Sequence, residues 1–267
     1  MVINTNMAAI TSANNLNNST NMLNNSLAEL SSGSKIVNPS DDPAGLAESI
    51  SLNAQIGQTQ AANDNVSNAV SFLQTQDGYL QQVGSALDQM SQLAVESQDV
   101  TKTDAERSDY QQEFSTLAGY ITDTATKDFN GVSLFSGTAL AVTTDGSGDT
   151  FSMSGINLGA SAYTGATSAD VSTSTGATSA LTAVTTAITQ LATDRATVGA
   201  NEERLTYTGD ELGVLQDNLT AANSQLTDVD VATESTKYAQ YQILVQSGTS
   251  MLAQANQNPQ SVLKLLQ

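Results

Sequence analysis

The apolar positions of this chain fall into stripes of alternating three- and four-residue steps, and these stripes organise most of its length. Near the start, Ala13, Leu16, Thr20, Leu23, Leu27 and Leu30 step by 3,4,3,4,3. Ala69, Leu73, Gln76, Leu80, Val83, Leu87, Met90 and Ala94 alternate 4 and 3 without a fault. Tyr110, Phe114, Leu117, Ile121 and Thr124 repeat the pattern. Leu205, Thr208, Leu212, Leu215, Leu219, Ala222, Leu226, Val229 and Thr233 carry it across four heptads, and Tyr241, Leu244, Gly248, Met251 and Ala255 step by 3,4,3,4. Such spacing keeps one face of a helix apolar over many turns, and that face must be buried against other helices. The fold this predicts is mainly α: an elongated antiparallel helical bundle or coiled coil formed by both chain halves, with a small β-hairpin region at the tip.

The breaks between stripes give the organisation. The first helix is predicted to run to about Asn38, where Asn38-Pro39 interrupts it. Asp42 before Pro43 then reads as an N-cap followed by a first-turn proline. No proline follows before Pro259, so a second helix can extend to about Gln98. About 55 residues at 1.5 Å each make a rod of roughly 80 Å. A third helix starts near Asp104 and ends at the turn signal Phe129-Asn130-Gly131. Leu140-Ala141-Val142 and Phe151-Ser152-Met153 flank the glycine-rich Asp145-Gly146-Ser147-Gly148-Asp149, a hairpin pattern. Gly159 to Ala180 is rich in Ala, Ser, Thr and Gly and is expected to be an irregular surface loop. Three layers result: residues 1–40 with 235–267 as a terminal coiled-coil layer, 41–135 with 181–234 as a helical bundle, and 136–180 as a short hairpin and loop region.

Charge separates the ends from the body. Residues 1–40 carry only Glu29 and Lys35, and residues 235–267 only Lys237 and Lys264, while the chain as a whole stands at −19. Amphipathic, nearly uncharged ends on an acidic body suit a subunit that joins copies of itself through its termini. The acidity also serves plain solubility, and it disfavours nucleic acid and anionic lipid, both of which select basic patches. His, Cys and Trp are absent. That removes imidazole acid–base chemistry, thiol nucleophiles, thiolate or imidazole metal sites and disulfides. No enzyme activity and no cofactor is expected. No apolar run approaches the roughly 20 residues that span a bilayer, so no membrane insertion is expected. The opening MVINTNMAAITSANN lacks the basic start and apolar core of a secretory signal peptide.

Several local patterns invite a sharper chemistry. Asp145 to Asp149 imitates the start of a calcium loop, but Thr150 and Ile156 stand where such a loop needs Gly and Glu, which leaves a hairpin turn. Asp228-Val229-Asp230 and Glu202-Glu203 are read as the solvated face of helices. Ser and Thr between Thr143 and Thr186 can carry O-glycans or form an unmodified polar loop. Asn65-Val66-Ser67 and other sequons arise by chance in an Asn-rich chain.

The layout, together with Leu30-Ser31-Ser32-Gly33, Asp41-Asp42-Pro43-Ala44-Gly45, Leu93-Ala94-Val95 and Phe129-Asn130-Gly131, resembles bacterial flagellin. Val2-Ile3-Asn4-Thr5-Asn6 at the start, and Met251 to Asn256 followed by Pro259-Gln260-Ser261-Val262-Leu263 at the end, look like that family's terminal signatures. The resemblance covers roughly residues 1–135 and 181–267, and 136–180 corresponds to the family's variable insertion in a reduced form. It implies a non-catalytic subunit that self-assembles into the flagellar filament for motility. It also implies export by the flagellar type III apparatus to the outside of the cell. The terminal helices would then line the filament channel, with interface residues Ala13, Leu16, Leu23, Leu27, Leu30, Tyr241, Leu244, Met251, Leu252 and Leu263. Leu73, Leu80, Leu87, Phe114, Leu117, Ile121, Leu212, Leu215, Leu219 and Leu226 would form the bundle seam. Expected partners are further copies of the chain, a secretion chaperone on the C-terminal helix, and the filament cap and hook junction proteins. Flagellins sensed by the animal Toll-like receptor carry arginines where Gln89 and Ser91 stand here, and an Ile-Asp-Arg where this chain has Ile121-Thr122-Asp123. Leu93 and Glu113 persist, but innate-immune recognition is expected to be weak. The readings that compete are the hook–filament junction protein, which shares flagellin's ends, and a secreted coiled-coil effector or adhesin.

Overall fold

The computed structural model describes residues 5–265, and side chains as far as Gln257. Among the described residues six helices account for most of the chain: α1 Met7–Ser32, α2 Pro43–Gln98, α3 Asp104–Thr124, α4 Ser161–Thr167, α5 Ser174–Thr227 and α6 Val231–Leu265. Two antiparallel strand pairs complete it, β1 Asp128–Phe129 with β2 Val132–Ser133, and β3 Leu140–Thr143 with β4 Thr150–Met153. The chain divides into two compact units, Met1–Ile56 with Asn218–Gln267, and Gly57–Asp217.

Local chemistry sets the boundaries. α1 stops at Ser32, six residues before the predicted end, because Gly33 takes φ 73° and its N–H donates to Glu29 O at 2.9 Å. That left-handed close suits glycine. The Asp42 carboxylate accepts the Gly45 N–H at 2.9 Å and starts α2 as an N-cap. α3 opens with a capping box in which Thr103 and Glu106 satisfy each other's backbone N–H groups. The β1–β2 turn places Asn130 at φ 52° and Gly131 at φ 80°, the Asn-Gly hairpin turn.

In the 57–217 unit α2 and α5 run antiparallel. Arg195 pairs with Asp77 at 2.8 Å, Gln74 donates to Glu202 at 2.9 Å, and Gln98 donates to Ala177 O at 3.4 Å. The core follows the α2 stripe, since every position from Ala69 to Ala94 that the 4,3 alternation selects is buried. Phe114, Ala118 and Ile121 of α3 join it. Arg107, itself buried, closes the α2–α3 corner by donating to Ser97 O at 2.9 Å, a carbonyl that α2 leaves open, and to Asp99 O in the link at 2.8 Å.

Two sequence expectations change here. Gly159–Ala180 is not an irregular loop: it contains α4, whose Tyr163 and Ala166 are buried, and the first turns of α5, with Ala177 and Ala180 fully buried. The Tyr163 hydroxyl donates to Asp194 at 2.6 Å. Burial and that bond push the phenol far above its ordinary range. The hairpin region packs against α2 and α5. Phe129 packs edge-on against Phe72 at 5.9 Å and Phe135 against Tyr79 at 6.4 Å, while Arg204 stacks 4.0 Å over Phe151. Finally, the helical stripe from Leu205 does not continue to Thr233. α5 ends at Thr227, and Asp228-Val229-Asp230 is a link, not a helix face.

Candidate subunit interface: the terminal helix pair

In the other unit α1 packs along α6. The direction is antiparallel: Asn6 Nδ2 donates to Ala255 O at 2.8 Å, while Ser26, twenty residues later, meets Glu234. The two links beside the pair are sewn together by main chain. Val229 N–H donates to Gly33 O at 3.1 Å and Lys35 N–H to Thr227 O at 2.6 Å, with Ser34 and Asp228 forming an antiparallel bridge. Asp230 then starts α6. Its carboxylate accepts from Ala232 N–H at 3.0 Å and from the Thr233 hydroxyl at 2.7 Å, and these bonds hold it below the usual carboxylate range.

The α6 seam runs through Glu234, Tyr238, Tyr241, Val245, Gly248, Leu252 and Ala255, a 4,3 alternation in which each residue is buried or half-buried. It shares Tyr241, Gly248 and Ala255 with the predicted stripe but differs in phase. Leu244 and Met251 stand outside it, 44% and 59% exposed. On α1, Ala13, Leu16, Leu23 and Leu30 are half-buried, whereas Leu27 is exposed. Leu16 sits over Gly248, where a β-carbon at 248 would approach Leu16 Cδ1 to 3.1 Å. Tyr241 and Leu252 lie on the seam; Leu263 lies outside the described side chains, and Val2-Ile3-Asn4 outside the described residues.

Sequence reasoning missed the polar centre of this pair. Ser26 Oγ donates to Glu234 Oε1 at 2.6 Å, and Lys237 Nζ donates to Glu234 Oε2 at 2.9 Å. Ser26 is 2% and Glu234 5% exposed. The Ser26 bond, then Lys237, hold the Glu234 carboxyl below its ordinary value. Desolvation, with Glu234 nearby, pushes Glu29 the other way. The signs oppose each other. Glu234 adds stability above the unfolded-state pKa and loses it as pH falls through its depressed folded value; Glu29 adds stability at low pH and loses it as pH rises through its raised one.

Most of the predicted bundle residues lie in the 57–217 unit, with Leu219 and Leu226 in this one. Leu73, Leu80, Leu87, Phe114 and Ile121 are at most 1% exposed, Leu212 is buried, and Leu117, Leu219 and Leu226 are half-buried. Leu215 is 45% exposed. Among the residues of the degenerate receptor motif, Gln89, Glu113 and Asp123 are exposed and Leu93 is buried. Among the described residues, no helix is long and apolar enough to cross a membrane, and no group of three or more acidic side chains could hold a metal ion.

Comparison with known proteins accounts for both halves of this architecture. Residues 3–139 match the bacterial flagellin N-terminal helical region and residues 181–266 the bacterial flagellin C-terminal helical region. The chain is 34% identical to a flagellar filament 33 kDa core protein of Treponema phagedenis, with all of both chains covered. It is also 34% identical to a flagellin of Halalkalibacterium halodurans, again over the whole of both. Among solved structures, the crystal structure of Bacillus cereus flagellin superposes with a TM-score of 0.50 at 25% identity, covering 56% of this chain and 88% of that one. Two terminal helical regions in order, and full-length relatives well above chance identity, place the chain within one family: it belongs to the bacterial flagellins.

Proposed function

We propose that this chain is a structural subunit of the extracellular flagellar filament and polymerises through its terminal helix pair. The observation that carries this is the apolar surface the α1–α6 pair leaves uncovered. Met22, Leu27, Ile243 and Met251 are each at least half exposed, on helices that carry few charges. Surface of that kind is buried by association, and neighbouring copies of the same pair supply a matching face. Membership of a structural family and full-length relatives named as filament core proteins agree with it. The same exposed α6 face would need cover before assembly, which a secretion chaperone on the C-terminal helix would provide. Export through the flagellar type III apparatus, and contacts with the filament cap and hook junction proteins, follow as parts of this reading.

The test is polymerisation of the purified chain, read by sedimentation and negative-stain microscopy. Long filaments are expected. Their critical concentration should fall as salt rises from about 0.01 to 0.1 M, because the screening length shrinks from roughly 30 to 10 Å and relieves repulsion between acidic bodies. An unchanged critical concentration rejects the charge argument. Short rings would favour the junction protein, and a monomer at every salt would reject the filament reading.

Weak recognition by the innate-immune receptor is part of the same proposal. Leu87 and Leu93 are buried in the bundle, and the exposed positions offer Gln89 and Asp123 where a charge-assisted donor is needed. Substituting arginine at both positions should raise the signal of a receptor reporter assay on free monomer by about tenfold or more, the value of one restored charged hydrogen bond. Strong signalling by the unaltered chain would contradict it.

A further inference from the structure

The repeat in α1 does not by itself select a register against α6. Ser12, Ser19 and Ser26 recur every seven residues, and so do Leu16, Leu23 and Leu30. A slip of α1 by one heptad, about 10.5 Å, lays serine where serine was and leucine where leucine was. The α6 face is not repetitive: it contributes a single acid, Glu234, at one end of the seam and Gly248 farther along. Two contacts read that difference. Ser26 donates to the buried Glu234 carboxylate at 2.6 Å, and Leu16 fills the space over Gly248.

We propose that the Ser26–Glu234 contact, steadied by Lys237, sets the register in which α1 pairs with α6, and so makes Glu234 a specificity-determining residue for assembly. A buried carboxylate is costly to leave short of donors. A slip in one direction brings Gly33, which has no side chain, to Glu234 and removes one donor. A slip in the other brings Ser19 there, but then Ala9 faces Gly248 in place of Leu16 and leaves a hole. Apolar heptads tolerate such slips, and a single buried polar position is what excludes them. The competing determinant is the main-chain bridge between Ser34 and Asp228, which pins only the links beside the helices. This inference deepens the filament reading and rests on it.

The chain has no cysteine, so engineered pairs report register directly. With Leu16→Cys and Gly248→Cys the two β-carbons stand 3.6 Å apart, within disulfide range. Ala9→Cys or Leu23→Cys, each combined with Gly248→Cys, reports one of the two slips. Each pair is oxidised in polymerising salt, and the intrachain bond is read from mobility on a denaturing gel. With Ser26 and Glu234 intact, only the 16–248 pair should close. In a Ser26→Ala, Glu234→Leu background a slipped pair should close as well, while Glu234→Gln, which still accepts from Ser26, should retain the single product. If the apolar background closes only the 16–248 pair, the main-chain bridge sets register and the proposal fails. It fails equally if no pair closes there, because the contact then holds the helices together without choosing between registers. Slipped products from Glu234→Gln also overturn it. Whether the unaltered chain sediments as filaments is scored separately, so a failure of the filament reading is distinguishable from a failure of the register argument.

Discussion

Replacing Phe114 with alanine should lower the stability of the bundle by about 3–5 kcal/mol, whereas Leu215→Ala should change it by no more than about 0.5 kcal/mol. Both residues sit on 3–4 stripes, so counting heptads assigns them equal weight. Their surroundings differ. Phe114 is 0% exposed in the core that α3 shares with α2 and α5, and removing its ring leaves a cavity that rigid neighbouring helices cannot close. Leu215 already meets water over nearly half its surface, so truncation removes little buried area. Urea denaturation followed by circular dichroism on the monomer measures both. A Leu215→Ala loss as large as that of Phe114→Ala would show that the stripe, and not observed burial, marks the seam.

How much was legible depended on how sharply each stripe was drawn. In α2 the selected positions are apolar except for Gln76, most of them large, and the helix follows the arithmetic throughout. The opening turns of α5 were hidden by small residues. Ala177, Ala180, Val184, Ala187 and Leu191 keep the 3,4 step, but the Thr-rich filling gives them the composition of a loop. The structure shows how those threonines live in a helix: the Thr182 hydroxyl donates to Thr178 O at 3.1 Å and that of Thr186 to Thr182 O at 2.9 Å. Farther along, Asp194 holds a heptad position because the Tyr163 hydroxyl and the Gln190 amide satisfy it.

Two other failures have different causes. Heptad counting passed through Asp228-Val229-Asp230 because spacing does not register a cap, and Asp230 ends one helix only by starting the next. In α6 the adjacent pairs Leu244-Val245 and Met251-Leu252 fit either a 3,4 or a 4,3 phase. The choice falls to Tyr238, which extends only the second, since the first would put Lys237 on the seam and Glu234 fits both. Helices covered on more than one side by a polymer are apolar on more than one face, so the ambiguity reflects the surface proposed for assembly. The Ser26–Glu234 contact joins residues 208 apart. Its one trace in the sequence is that Glu234 is the sole acid of α6.

Deleting residues 235–267 should abolish filament formation while leaving the bundle folded. The deletion removes Tyr238, Tyr241, Val245, Gly248, Leu252 and Ala255, the whole seam that α1 packs against except Glu234. Leu16, Leu23 and Leu30 would then face water, at a cost of about 25 cal/mol per Å² of apolar surface. Without its partner α1 loses the packing of its amphipathic face, from which most helical stability in proteins comes. The 57–217 unit keeps its core, from Ala62 and Leu80 to Leu205 and Leu212, and its Arg195–Asp77 pair. Circular dichroism should therefore show a helical monomer that has lost α6 and frayed α1 but still melts cooperatively, and sedimentation should find no filaments at any salt. Long filaments from the truncated chain would mean that the terminal pair does not drive assembly. An unfolded product would mean instead that the bundle depends on the terminal helices for its own stability, which its buried seam gives no reason to expect.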